Sequence, residues 1–109
     1  MGATALHTSP IGRARKTAGE IGRVIGLTPI LDESLKEMHF GDLEAIRGDH
    51  FATDHPEIYA RWCNRLDEDF GWPGGETRRE FRLRTVSALE RIGLEYRGQT
   101  VLLLSLIHI

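Results

Sequence analysis

The stretch best able to do chemistry is Thr8-Ser9-Pro10-Ile11-Gly12-Arg13-Ala14-Arg15-Lys16-Thr17-Ala18. It runs a strand end straight into a helix start, where unpaired main-chain N–H groups and the helix dipole favour an anion. Arg13 falls in the first turn of that helix and could add a fixed, bidentate donor for phosphate. On position alone, a solvated surface charge is the better account of one helical arginine. Elsewhere no histidines or carboxylates cluster at ligand spacing, so no metal and no cofactor is expected. Cys63 stands beside Trp62 on an amphipathic segment, in no basic pattern that would demand a low thiol pKa, so packing is its expected role. Arg78, Arg79, Arg82 and Arg84 do not share one helix face and are offset by Glu76, Glu80 and Glu90; they read as a solvated helix rather than a basic patch.

The elements that must position these residues are legible in outline. Residues 3–7 read as a short strand. Ser9 is a good helix N-cap and Pro10 suits the first helical position. Ile11, Ala14, Ala18, Ile21 and Ile25 then fall three and four apart on one face, and Gly26 is a C-terminal stop. Residues 30–37 read as an extended loop with a short strand, and Gly41 and Gly48 bracket a brief helical turn. A further helix is expected from Asp54, with Pro56 early, Glu57 completing a capping box, and a core stripe of Ile58, Trp62, Leu66 and Phe70. Residues 71–75 are a loop. Thr77-x-x-Glu80 opens the longest helix, with Phe81, Val86, Leu89 and Ile92 inward, and Gly98 ends it. The apolar run after Thr100 suits a strand buried on both faces of a parallel sheet.

Composition narrows the class without naming a function. The chain has 109 residues, 14 basic and 16 acidic side chains, a net charge of −2 and one cysteine. One domain at most is expected, burying roughly 60–70% of its unfolded surface. The charge balance gives no bulk attraction to nucleic acid or anionic lipid, and no apolar run is long enough to cross a bilayer. With no signal-peptide pattern at the start, the expected compartment is the cytoplasm.

Four segments in order then resemble the histidine phosphatase superfamily, in its phosphoglycerate mutase-like branch. Ser9-Pro10-Ile11-Gly12-Arg13-Ala14-Arg15-Lys16-Thr17-Ala18 resembles its "S-P-L-x-R-A-x-Q-T-A" motif. Leu35-Lys36-Glu37-Met38-His39-Phe40-Gly41-Asp42-Leu43-Glu44-Ala45 resembles "L-x-E-x-x-F/Y-G-x-x-E-G". Pro73-Gly74-Gly75-Glu76-Thr77 resembles "P-x-G-E-S", and Arg84 falls where the next helix usually carries an arginine. Thr100-Val101-Leu102-Leu103 resembles the strand leading into "V-S-H-G".

The resemblance implies a three-layer α/β/α fold on a mostly parallel sheet, here truncated at both ends, so that residues 1–109 form a partial domain. It implies hydrolysis of a phosphate monoester through phosphohistidine, with phosphoglycerate mutase-type transfer and a catalytically dead phospho-ligand or protein binder as alternatives. Under it, Arg13 is a phosphate-binding arginine, Glu37 the proton donor to the leaving alcohol, and His39 a substrate contact. Arg84 is expected to pair with a carboxylate. His7, at a position usually small or apolar, is expected to be structural; His50 and His55, in the helical insertion, are expected at the surface or as caps. The partner implied is a small phosphorylated metabolite, and no metal is required.

The departures are as informative. No "R-H-G" occurs in the 109 residues, so the nucleophilic histidine is missing, and His108 lacks the "S-H-G" context of the second one. Ala45 replaces a glycine. Residues 104–109, Leu-Ser-Leu-Ile-His-Ile, equal the translation of the transposon-end sequencing adaptor CTGTCTCTTATACACATC, so this stretch is expected to be an artefact and the chain a fragment without turnover.

Overall fold

The computed structural model describes residues 2–43 and 48–105. Ala45, and residues 106–109 with His108, lie outside them. In chain order the elements are β1 (Ala5–Thr8), α1 (Gly12–Ile25), β2 (Ile30–Leu31), two 3-10 turns (Glu33–Leu35 and Gly41–Leu43), α2 (Gly48–Asp54), α3 (Pro56–Cys63), α4 (Arg78–Glu95) and β3 (Val101–Leu104). They fall into two compact units, one within residues 1–37 and 84–109, the other residues 38–83.

The first unit holds a parallel sheet in the order β2-β1-β3. His7 and Thr8 stand opposite Ile30 and Leu31, and residues 5–8 stand opposite residues 101–104. All four β1 side chains are buried, as a central strand requires. The chain moves one way across the sheet from β1 to β2 and back the other way from β2 to β3. Right-handed crossovers in opposite directions place their helices on opposite faces, which assigns α1 and the latter part of α4 to the two outer layers.

Helix α1 turns Ala14, Ala18 and Gly22 inward, four residues apart. It ends as expected at Gly26, whose φ of 76° suits a residue without Cβ and whose N–H donates to the Gly22 carbonyl at 2.8 Å. Its start is displaced from expectation. Ser9 is not the N-cap: its own N–H donates to the Leu104 carbonyl at 2.8 Å, so sheet pairing keeps the chain extended there. Proline also disfavours helix in the residue before it. Ile11 becomes the cap, and the Ser9 hydroxyl accepts a hydrogen bond from the Ile11 N–H at 3.3 Å.

Thr77 caps α4 as the motif predicts, its hydroxyl accepting from the Glu80 N–H at 3.1 Å. The inward face is not the expected one. Ala88 and Ile92 are buried, while Val86 and Leu89 are 44% and 46% exposed. In the first unit Val86 and Leu89 fall off the line through Ala88 and Ile92 by helical geometry, while Phe81, in the second, is half-buried against that unit's own core. Strand β3 is likewise not buried on both faces: Leu102 and Leu103 are 39% and 38% exposed, β3 being an edge strand among the described residues.

The second unit is organised by aromatic rings. Met38, Phe70 and Trp72 are buried, with Phe40, Leu43, Phe51, Ile58, Trp62 and Phe81 packed against them. Phe70 and Trp72 meet edge to face at 5.1 Å, a favoured geometry for ring pairs. Asp54 ends α2 rather than opening the next helix, and α3 stops at Cys63. Leu66 therefore leaves the expected stripe and is 90% exposed, while Phe70 reaches the core from the following loop. Cys63 is exposed, against its expected packing role, since it lies one residue beyond the inward-facing Trp62 and so about 100° round the helix. His55 takes the cap position of α3 without a side-chain capping bond, and His50 is exposed.

The arginines of α4 are not a uniformly solvated set. Arg79 pairs with Asp69 and Arg82 with Glu68, both carboxylates from the preceding loop. Arg78 stacks on Trp62 and Phe70, 4.9 and 5.0 Å from the ring centres. It donates to the main-chain carbonyls of Trp62, Asn64 and Asp67.

Candidate active site

A parallel sheet brings all its strand C-termini to one edge, and ligands of α/β folds bind beyond that edge. Here β1 runs into Ser9, β2 into Asp32 and β3 into Ser105, and hydrogen bonds stitch the three ends together. The Ser9 N–H donates to the Leu104 carbonyl (2.8 Å) and the Asp32 N–H to the Thr8 carbonyl (2.9 Å). The Ser105 hydroxyl donates to the Leu35 carbonyl. Arg13 and Glu37 both follow directly from this edge.

Arg13 is the second residue of α1 and is exposed. The first turn carries no acidic side chain, so the positive end of the helix is unopposed. The Thr17 hydroxyl donates to the Arg13 main-chain carbonyl at 3.0 Å. Among the described residues the guanidinium forms no ion pair, which leaves its planar fork available to an anion.

Glu37 is half-buried and follows the turn Glu33–Leu35. Asp32 caps that turn, accepting from the Ser34 N–H at 3.0 Å. Arg84 holds the far side: its Nη1 donates to the carbonyls of Ser34 (2.8 Å) and Lys36 (2.9 Å), and its Nη2 to that of Glu37 (3.3 Å). The Glu37 carboxylate itself has no hydrogen bond or ion pair among the described residues, and none joins it to Arg13.

Burial pushes the Asp32 carboxyl up, but hydrogen bonds from Arg91 and from Ser34 outweigh it and hold Asp32 below the ordinary aspartate range. The Arg91 contact is 2.7 Å. A carboxyl depressed on folding stabilises the fold at pH values above its unfolded pKa, near 3.9, and loses that contribution as pH falls through the folded value. Melting temperature should therefore drop as pH falls below about 4, and Asp32→Asn should flatten that drop while lowering the melting temperature at pH 7. Parallel slopes for the two proteins over that range would remove Asp32 from the acid response.

His39 belongs to the other unit, where its side chain is exposed. Its main chain is fixed from both directions by Glu76. The His39 N–H donates to Glu76 Oε1 at 2.8 Å, and the Glu76 N–H donates to the His39 carbonyl at 2.9 Å. The "P-G-G-E" segment thus acts as a support for the residues after Glu37.

His7 fits the structural role expected of it. It is 3% exposed in β1, with Nε2 3.2 Å from the Tyr96 hydroxyl, the rings edge to face, and Nδ1 3.8 Å from Asp32 Oδ2. Two supporting residues escaped the sequence reading. Asp32 carried a local signal, since Asp-x-Ser is an Asx-turn pattern. Glu76 carried none that pointed to His39, 37 positions away. Among the described residues no group of three or more His, Cys, Asp or Glu could hold a metal ion, and no helix is long and apolar enough to cross a membrane.

The solved structure of the alpha-ribazole phosphatase from Shigella flexneri matches 96% of this chain with a TM-score of 0.78 and 26% identity. The mycobacterial glucosyl-3-phosphoglycerate phosphatase, at 23% identity and a TM-score of 0.80, shares the fold over 96% of the chain. The chain spans 52% of the length of each of these two structures. In sequence it is 34% identical over 104 residues to a bifunctional protein of Mycobacterium tuberculosis, covering 95% of this chain and 28% of that one. It is 33% identical over 90 residues to the putative phosphoserine phosphatase 2 of Hydrogenobacter thermophilus, covering 80% of this chain and 42% of the relative. The family model for the histidine phosphatase superfamily (branch 1) matches residues 1–106, and the chain belongs to that superfamily.

Proposed function

We propose that this chain is part of a phosphatase that hydrolyses a small phosphate monoester through a phosphohistidine, and that it carries the phosphate-binding arginine and the proton donor. The observation that carries this reading is the shared sheet edge: Arg13 and Glu37 follow the C-termini of β1 and β2, which are joined where the Asp32 N–H donates to the Thr8 carbonyl. In this reading Arg13 and the start of α1 neutralise charge on the phosphate oxygens. A histidine supplied by an "R-H-G" segment outside these residues attacks phosphorus as the P–O ester bond breaks, and the Glu37 carboxyl gives its proton to the departing oxygen. Water then cleaves the P–N bond and returns a proton to Glu37. Splitting the transfer in two lowers each barrier.

The family resemblance makes His39, whose main chain is held by Glu76, a substrate contact. Relatives named as a phosphoserine phosphatase and an alpha-ribazole phosphatase support a small phosphorylated metabolite as substrate. The cytoplasm is the proposed compartment.

The first test is the coding sequence on both sides. "R-H-G" upstream of Ser9 and "S-H-G" in place of residues 105–109 would support the phosphatase reading; a start at Met1 and a stop after residue 109 would leave binding of a phospho-ligand instead. The 109 residues alone should not turn over p-nitrophenyl phosphate. In a protein carrying both motifs, Glu37→Gln should lower kcat by about 10²–10⁴-fold, the usual size of a general-acid contribution. Unchanged kcat in that variant would remove Glu37 from the chemistry.

A further inference from the structure

We infer that Arg84 is a positioning residue, fixing the main chain that carries Glu37; the inference rests on the proposed role of Glu37. One guanidinium donates to three carbonyls, those of Ser34, Lys36 and Glu37, across sequence separations of 50, 48 and 47. A planar fork with donors on both terminal nitrogens can span carbonyls that face it from one turn, which a single ammonium cannot do with the same geometry. Carbonyls need their own partners where a loop leaves its helical pattern, and a charged donor is the strongest available.

The segment is tied from its other end as well. Asp32 caps the turn, accepting from the Ser34 N–H at 3.0 Å. Between Asp32 and Glu37 the chain therefore has attachments to β1's end and to α4, while the Glu37 side chain makes none among the described residues. Main-chain anchoring with an unengaged carboxyl is what a proton donor needs: a fixed origin and a free end.

The experiment is residue-resolved amide hydrogen exchange on the full chain, comparing the native protein with Arg84→Ala and Arg84→Lys. In Arg84→Ala the amides of Leu35 and Lys36, bonded to the Asp32 and Glu33 carbonyls, should exchange roughly tenfold faster or more. The β1 amides should keep their rates. Millimolar guanidinium should restore protection in Arg84→Ala, and Arg84→Lys should recover only part of it. Unchanged exchange at residues 35 and 36, or a rise shared equally by β1, would overturn the positioning role.

If Arg84→Ala fails to fold, the native chain still decides the question. A guanidinium bonded to three carbonyls rotates slowly, so the Arg84 Nη protons should give separate NMR signals at room temperature; one averaged signal overturns the inference. Failure of the underlying reading is distinguishable, because Glu37→Gln with unaltered turnover in the motif-complete protein would cancel the role of Glu37 and leave the exchange result untouched.

Discussion

Phe70→Ala should destabilise the unit of residues 38–83 by about 3–5 kcal/mol, the range for deleting a buried phenyl ring. Phe70 is 1% exposed and is the largest fully buried side chain among the described residues. Its ring meets Trp72 at 5.1 Å and Trp62 at 5.8 Å. The guanidinium groups of Arg78 and Arg61 lie over it at 5.0 and 5.6 Å. Alanine would leave a cavity that these rings cannot fill by rotating, because each already packs on another member of the cluster. Both tryptophans of the chain belong to this cluster, so their fluorescence reports the transition directly. A loss below about 1 kcal/mol in urea unfolding, a size typical of surface substitutions, would mean the cluster collapses around the gap.

Gly75→Ala should be nearly as damaging, although it adds a single methyl group. A Cβ there would sit 2.3 Å from the His39 carbonyl oxygen and 2.8 Å from the Gly41 nitrogen. Both obstacles are main chain, so no side-chain rotation relieves the clash, and the cost should be about 1–3 kcal/mol or more. The paired hydrogen bonds between His39 and Glu76 should break with it, which His39 amide exchange would register. Gly93→Ala is the control: in the last turn of α4, a Cβ there meets nothing within 4 Å beyond the helix's own backbone. Helix propensity should make that variant more stable by about 0.5–1 kcal/mol. Equal effects from the two substitutions would show that glycine content, rather than the close approach at His39, sets the loss.

Several features were legible in the residues themselves because their causes are local. The four-residue spacing of Ala14 and Ala18, the stop at Gly26 and the Thr77 cap each depend on neighbours within one or two turns, and each stands where its pattern placed it. The four family motifs in order were enough for the family and the fold. Misplaced details arose where distant pairing overrode a local preference. Ser9 has the right chemistry for a cap, yet its N–H is taken by Leu104, 95 positions away, and the helix begins later. The stripe at 58, 62, 66 and 70 required one continuous helix; α3 ends at Cys63, so Leu66 is exposed while Phe70 is buried through a loop.

The candidate site divides along the same line. Arg13 and Glu37 were reachable from the sequence because a motif is a short string. What more distant residues hold was not: Arg84 reaches Ser34, Lys36 and Glu37 over about fifty residues, and Glu76 reaches His39 over 37. Sequence periodicity encodes which face of an element turns inward, since that depends only on residues three or four apart. Which carbonyl a guanidinium finds depends on chain closure between segments far apart, and that only the tertiary structure decided.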